Sequence, residues 1–136
     1  MTGSAERLRP HVKTHKLAEI VKLQLQAGIK KFKCATIAEA EMLAQAGAKD
    51  ILIANQLVGP NAERIAKLAS WYRDIRFSTI SDDAEAVGNL ARVAQAHDLK
   101  IPILLDIDVG MGRTGIKPGP AAITLYKLIN QLPGVD

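Results

Sequence analysis

The chain has 136 residues, 48% hydrophobic and only 4% aromatic, with 18 basic and 14 acidic residues giving a formal charge of +4. That length holds one modest core of Ala, Leu, Ile and Val; the mild, interspersed positive excess, with no basic run alternating with aromatics, argues against a nucleic-acid binder. A single cysteine, Cys34, excludes an internal disulfide and a cysteine-cluster metal site. No apolar run approaches the roughly 20 residues that span a bilayer, and the opening Met-Thr-Gly-Ser-Ala-Glu-Arg lacks the apolar centre of a signal peptide. A soluble, cytoplasmic protein with no membrane partner is expected.

Short apolar strands alternate with longer helical patterns, which predicts a parallel α/β architecture. In chain order the sequence predicts strand 10–13, helix 17–27, strand 32–37, helix 38–46, strand 50–54, helix 60–72, strand 75–79, helix 82–97, strand 101–108 and helix 120–131. Within 38–46, Ala38, Met42, Leu43 and Ala46 recur at helical spacing, and Glu39, Glu41 and Gln45 are expected to face outward. Gly47 then supplies a left-handed stop. Pro60 suits the first turn of the third helix, and Ser81-Asp82-Asp83 the start of the fourth. Gln26-Ala27-Gly28-Ile29-Lys30 and Gln45-Ala46-Gly47-Ala48-Lys49 are joints of one design, as successive βα units would have. Ile101 to Leu105 is nearly all apolar, as a strand buried on both faces should be. Periodicity alone leaves a barrel and a doubly wound open sheet equally open.

Lys13 stands near the end of a short predicted strand, where a βα barrel places a reacting amine. Apolar walls and neighbouring cations, here Arg9, Lys16 and His11, would lower its pKa and favour attack on carbonyls. Most lysines are solvated surface charges, so position alone does not decide. His11, Lys13 and His15 alternate and would share one face of a strand. No local carboxylate completes a metal set around the two histidines. Thr36, Asn55 and Gln56 fall at predicted strand ends, where capping competes with a site role. Asp106 and Asp108 alternate and are expected to pair with inner lysines or arginines. Cys34 suits a small core residue, and His97 a helix end that favours a cation.

The segment Arg9-Pro10-His11-Val12-Lys13-Thr14-His15-Lys16 resembles the lysine segment of the D-threonine aldolase and eukaryotic-type D-serine dehydratase family. These are fold-type III pyridoxal phosphate enzymes related to alanine racemase. Two further segments are similar in the right order: Cys34 to Glu41, and Asp106-Ile107-Asp108-Val109-Gly110-Met111-Gly112-Arg113-Thr114-Gly115-Ile116. Ile53 to Pro60 is similar to a loop of the same family.

The resemblance implies a partial (β/α)8 barrel of the alanine racemase N-terminal type, with about five βα units over residues 1–136. It implies Lys13 as the catalytic Schiff-base lysine and Arg113 as a contact to the cofactor's phenolic oxygen. His15, Thr36 and Gln56 are further expected cofactor neighbours. It also implies a small D-amino acid substrate and D-threonine aldolase chemistry. D-serine dehydratase, 3-hydroxy-D-aspartate aldolase, a pyridoxal phosphate homeostasis protein and an inert barrel piece are the alternatives. The family's divalent metal is expected on ligands beyond Asp136, with none in this chain, and a homodimeric parent is expected. A complete barrel takes roughly 250 residues. A fragment is therefore expected, inactive or nearly so alone and prone to self-association through open sheet edges.

Overall fold

A computed structural model describes residues 3–136; Met1 and Thr2, the start of the segment read for a signal peptide, lie outside the described residues. The elements run α1 (Ala18–Gln26), β1 (Lys31–Cys34), α2 (Ile37–Gln45), β2 (Asp50–Ile53), α3 (Asn61–Trp71), β3 (Arg76–Ser81), α4 (Ala84–Ala96), β4 (Ile103–Leu105) and α5 (Pro120–Gln131). The four strands form one parallel sheet in the order β1-β2-β3-β4. Each strand pairs only with its neighbours in sequence, with Phe32 opposite Ile51 and Ile51 opposite Phe77. A doubly wound sheet reverses its strand order at a switch point; this sheet does not, so the architecture is that of a barrel segment.

The core lies between sheet and helices. Phe32, Ile51, Ile53, Leu43, Ile65 and Leu90 are each 2% exposed or less, and burying a side chain of that size contributes about 1.5–3 kcal/mol. Gly47 ends α2 at φ 101°, the left-handed stop the sequence predicts.

Three predicted elements are corrected. Residues 10–13 are not a strand: His11 makes a single bridge to Lys33, and Val12–Thr14 forms a 3-10 turn. Pro10 has no N–H to extend a ladder; its carbonyl accepts the Lys33 N–H at 2.9 Å, and the His11 ring then accepts the Lys13 N–H at 3.3 Å. The strand expected over 101–108 shortens to Ile103–Leu105, flanked by single bridges at Ile101 and Ile107. Leu104 there is exposed, so the expected burial on both faces is not reached among the described residues. The strand expected over 32–37 stops at Cys34 because Thr36 already caps α2, its Oγ1 accepting the Glu39 N–H at 3.2 Å.

The face of α2 is also rotated from expectation. Glu39, Ala40, Leu43 and Ala44 are buried, whereas Ala38 is exposed. Glu39 turns inward as its Oε2 accepts the Ala35 N–H at 2.8 Å, a variant of the capping box in which the carboxylate reaches the residue before the Thr36 cap.

Candidate active site

Lys13 rides on the 3-10 turn that follows the His11–Lys33 bridge. Val12 beside it is fully buried and roots the turn in the core. His15 and Lys16 both donate their N–H to the Val12 carbonyl, at 3.2 and 2.8 Å. Because the chain turns here, His11, Lys13 and His15 do not share a strand face as the alternation predicts. Burial, and after it the charges of Lys13 and Lys33, hold the His11 ring below its ordinary pKa. A neutral ring is what the Lys13 N–H needs as acceptor.

The cations expected around Lys13 are engaged elsewhere. Arg9 pairs with Asp50 at 2.7 Å and donates to the Phe32 carbonyl at 3.1 Å. Lys16 pairs with Glu39 at 3.4 Å.

At the carboxyl ends of the strands lies a cavity of about 510 Å³ lined by Lys13, Asn55, Gln56, Ser81, Asp82, Asp106, Arg113 and Thr114, among others. Gln56 is oriented by two bonds: its Oε1 accepts from Ser81 Oγ at 3.1 Å and from the Asp82 N–H at 3.0 Å. Arg113 sits on an exposed loop folded around Asp108. Asp108 Oδ1 accepts the N–H groups of Gly110 and Gly112 at 2.9 and 3.0 Å, and these bonds hold its carboxyl below the ordinary aspartate pKa. The expectation of Asp108 as a charge partner is thus corrected: it shapes the loop. Asp106 lines the cavity with Lys13 and Arg113.

The loop is closed at Gly115, whose N–H donates to Asp82 Oδ2 at 2.7 Å. Gly115 has φ 98°, and a Cβ there would lie 2.5 Å from the Asp108 nitrogen. Glycine is required on both counts.

The structure therefore brings Lys13, Gln56 and Arg113 to one cavity. Thr36 lines an adjoining cavity of about 230 Å³ that shares Asn55 and Gln56. His15 lines neither: its Nδ1 accepts the Leu17 N–H at 3.1 Å, and its Nε2 is buried with no partner among the described residues. Asp82 and Ser81 also line the cavity, and sequence reasoning missed them by absorbing both into a helix-start signal. Asp83 alone caps α4, its Oδ1 accepting the Ala86 N–H at 2.8 Å; a doublet of aspartates before one helix was the available sign that the other had separate work.

Two residues stand apart. Cys34 is fully buried, and burial, with the nearby Glu39 charge, pushes its thiol up to about 12. His97, expected only to face a helix end, bridges helices through Nε2 to Glu63 Oε1 at 3.0 Å.

A sequential parallel βα repeat with a lysine, a glutamine and an arginine gathered at its strand ends is a segment of an α/β barrel, with its cavity on the side where barrels place their sites. The chain belongs to the family of the alanine racemase N-terminal domain, whose description matches residues 1–136. It is 37% identical over 132 residues to a D-threonine aldolase of Arthrobacter sp., covering 95% of this chain and 34% of that protein. It is 30% identical over 131 residues to a 3-hydroxy-D-aspartate aldolase of Paracoccus denitrificans, covering 95% and 33%. The crystal structure of D-threonine aldolase from Filomicrobium marinum superposes with a TM-score of 0.88 at 32% identity, covering 97% of this chain and 35% of that one. The chain thus spans about a third of the length of the relatives it matches.

Proposed function

We propose that this chain supplies the lysine-bearing part of a pyridoxal phosphate-dependent lyase acting on D-3-hydroxy amino acids, of the D-threonine aldolase type. One observation carries the reading. In a chain 37% identical to a D-threonine aldolase, Lys13, Gln56 and Arg113 line a single cavity at the strand ends.

The residues present suit the cofactor. Lys13, an exposed residue lining the cavity, offers an amine there, and Arg113 offers an always-charged, forked donor for an oxyanion. Lys13 would hold the cofactor's carbonyl carbon through Nζ, and Arg113 would donate to its phenolic oxygen. When bound, the cofactor supplies an electron sink for negative charge at the substrate's Cα. Beside the substrate's Cα, Lys13 Nζ would take or return a proton. Gln56, with its carbonyl committed to Ser81 and Asp82, presents its amide N–H groups to the cavity. Thr36 keeps a hydroxyl proton to donate into the adjoining cavity, and the His15 ring accepts the Leu17 N–H where the chain leaves the lysine turn.

In this chemistry a base would take the Cβ-hydroxyl proton, the Cα–Cβ bond would break to leave the aldehyde, and a proton delivered to Cα would complete glycine. A dehydratase is the second reading, favoured by 28% identity over 116 residues to a D-threo-3-hydroxyaspartate dehydratase of Delftia sp.. The divalent metal implied by the resemblance does not fit here: the described residues hold no group of three His, Cys, Asp or Glu able to bind one. No step is therefore derived through it. A cytoplasmic location is part of the same proposal; what the structure adds is that no helix among the described residues is long and apolar enough to cross a membrane.

The test is an absorbance scan of the purified chain with pyridoxal phosphate, before and after borohydride, followed by peptide mapping, with Lys13→Ala in parallel. A visible band that borohydride bleaches while labelling Lys13 supports the reading. Labelling that is absent, or unchanged in Lys13→Ala, overturns the assignment of Lys13 in this chain.

A further inference from the structure

Glu39 is only 5% exposed and is the one buried carboxylate among the described residues. Burying a carboxylate is costly unless its oxygens are compensated, and the helix cap accounts for only one of them. Oε2 accepts the Ala35 N–H at 2.8 Å. Oε1 has no hydrogen-bond partner, but it lies 3.4 Å from Lys16 Nζ. A helix start needs neither a second oxygen nor burial, so capping leaves this arrangement unexplained.

Lys16 is unusual in its own right. It lies three residues past Lys13 and holds φ at 51°, a left-handed conformation that persists in a lysine only where its surroundings enforce it. The Lys16 N–H closes the Lys13 turn on the Val12 carbonyl at 2.8 Å, and the left-handed corner that follows it sets the direction in which the chain leaves the turn. The field of the same carboxylate reaches His11, whose ring accepts the Lys13 N–H.

We propose that Glu39 is a positioning residue for Lys13: its buried charge anchors the side chain of Lys16, the residue whose N–H closes the turn carrying the Lys13 amine, and so holds that turn at its carboxyl end. Glu39 thereby ties the lysine turn to the loop before α2, whose Ala35 and Thr36 line the cavity adjoining that of Lys13. The importance of this clamp for chemistry rests on the proposed role of Lys13; the clamp itself concerns the turn alone.

The test uses the purified chain as Glu39→Gln, Lys16→Met, the double variant and Thr36→Ala. Glu39→Gln keeps an amide oxygen for Ala35 but removes the charge. Lys16→Met changes a mostly exposed side chain and leaves the core untouched. Thr36→Ala breaks the cap and leaves the carboxylate. Two quantities are read: amide hydrogen exchange at Lys16, and borohydride-trapped pyridoxal phosphate on Lys13. Expected is exchange at Lys16 about tenfold faster in either charge variant, the size of one charge-assisted contact. The double variant should be no worse than either single one, and trapping on Lys13 should slow several-fold in all three. Thr36→Ala should instead speed exchange in the first turn of α2 and leave Lys16 as it was.

Exchange at Lys16 that is unchanged in Glu39→Gln, or additive in the double variant, overturns the clamp. So does unchanged trapping in a chain whose wild type traps cofactor on Lys13. Where the wild type traps none, the functional reading falls, and exchange alone decides the clamp.

Discussion

The turn carrying Lys13 and the loop carrying Arg113 border the same cavity but are held in opposite ways. The lysine turn is fastened outward to the body of the protein. Val12 is sunk in the core, His11 bridges to Lys33 on β1, and Lys16 reaches Glu39 on α2. The arginine loop is fastened mainly to itself, with Asp108 gathering the Gly110 and Gly112 N–H groups. Its ties to the body lie at its two ends, from the Asp106 N–H to the Ser81 carbonyl and from the Gly115 N–H to Asp82. Val109 and Met111 between them are 85% and 77% exposed. A group that forms a bond needs a fixed direction, whereas a charge contact weakens only gradually with distance. The division of rigidity matches that of proposed labour.

The sharpest way to break this contrast is at the foot of the loop. Gly115→Ala would drive a Cβ to 2.5 Å from the Asp108 nitrogen at φ 98°. A loss of about 2–4 kcal/mol is expected in denaturant unfolding. An effect under about 0.5 kcal/mol would mean the loop refolds freely. Val12→Ala attacks the lysine turn at its root, in a fully buried site; about 2 kcal/mol should be lost, with exchange at His15 and Lys16 rising more than in α4. Gly112→Ala is milder: nothing lies within 4 Å of a Cβ there, and only φ 62° resists it. It should cost about 1 kcal/mol and leave exchange in the lysine turn unchanged.

The smallest expected effect is on pH. Folding holds the His11 pKa below its ordinary 6.5 through burial and the charges of Lys13 and Lys33, with Glu39 opposing. As pH falls through 6.5 the unfolded chain takes the proton first, so stability declines until the folded His11 also titrates. Above that range this residue contributes no slope. In His11→Gln the acid-side decline should shrink; an unchanged decline would assign it to other groups.

Much of this was legible in the sequence, and the reasons are local. Helix 120–131 is α5 to the residue, because Gly119 and Pro120 punctuate its start. Lys13 and Arg113 were expected at a site from family likeness and Gln56 from its strand-end position, and the fold brings the three to one cavity. What periodicity could not show was decided by partners distant in sequence. The Lys13 segment looks like a strand until its pairing with Lys33 ends after one bridge. Glu39 reads as solvent-facing because alternation assigns charge to the outside; only Lys16 and Ala35, folded against it, make the inside tolerable. Asp82 was hidden by Asp83, since a residue 33 positions away sets its task.

The fully buried thiol of Cys34, with its proton held to about 12, makes the protein its own clock. An alkylating reagent meets that sulfur only when β1 parts from its neighbours, so the rate of modification under native conditions counts sheet openings directly. Trp71 is 73% exposed and already faces water in the folded chain. Tryptophan fluorescence is therefore a weak witness to unfolding, and the lone thiol a strong one.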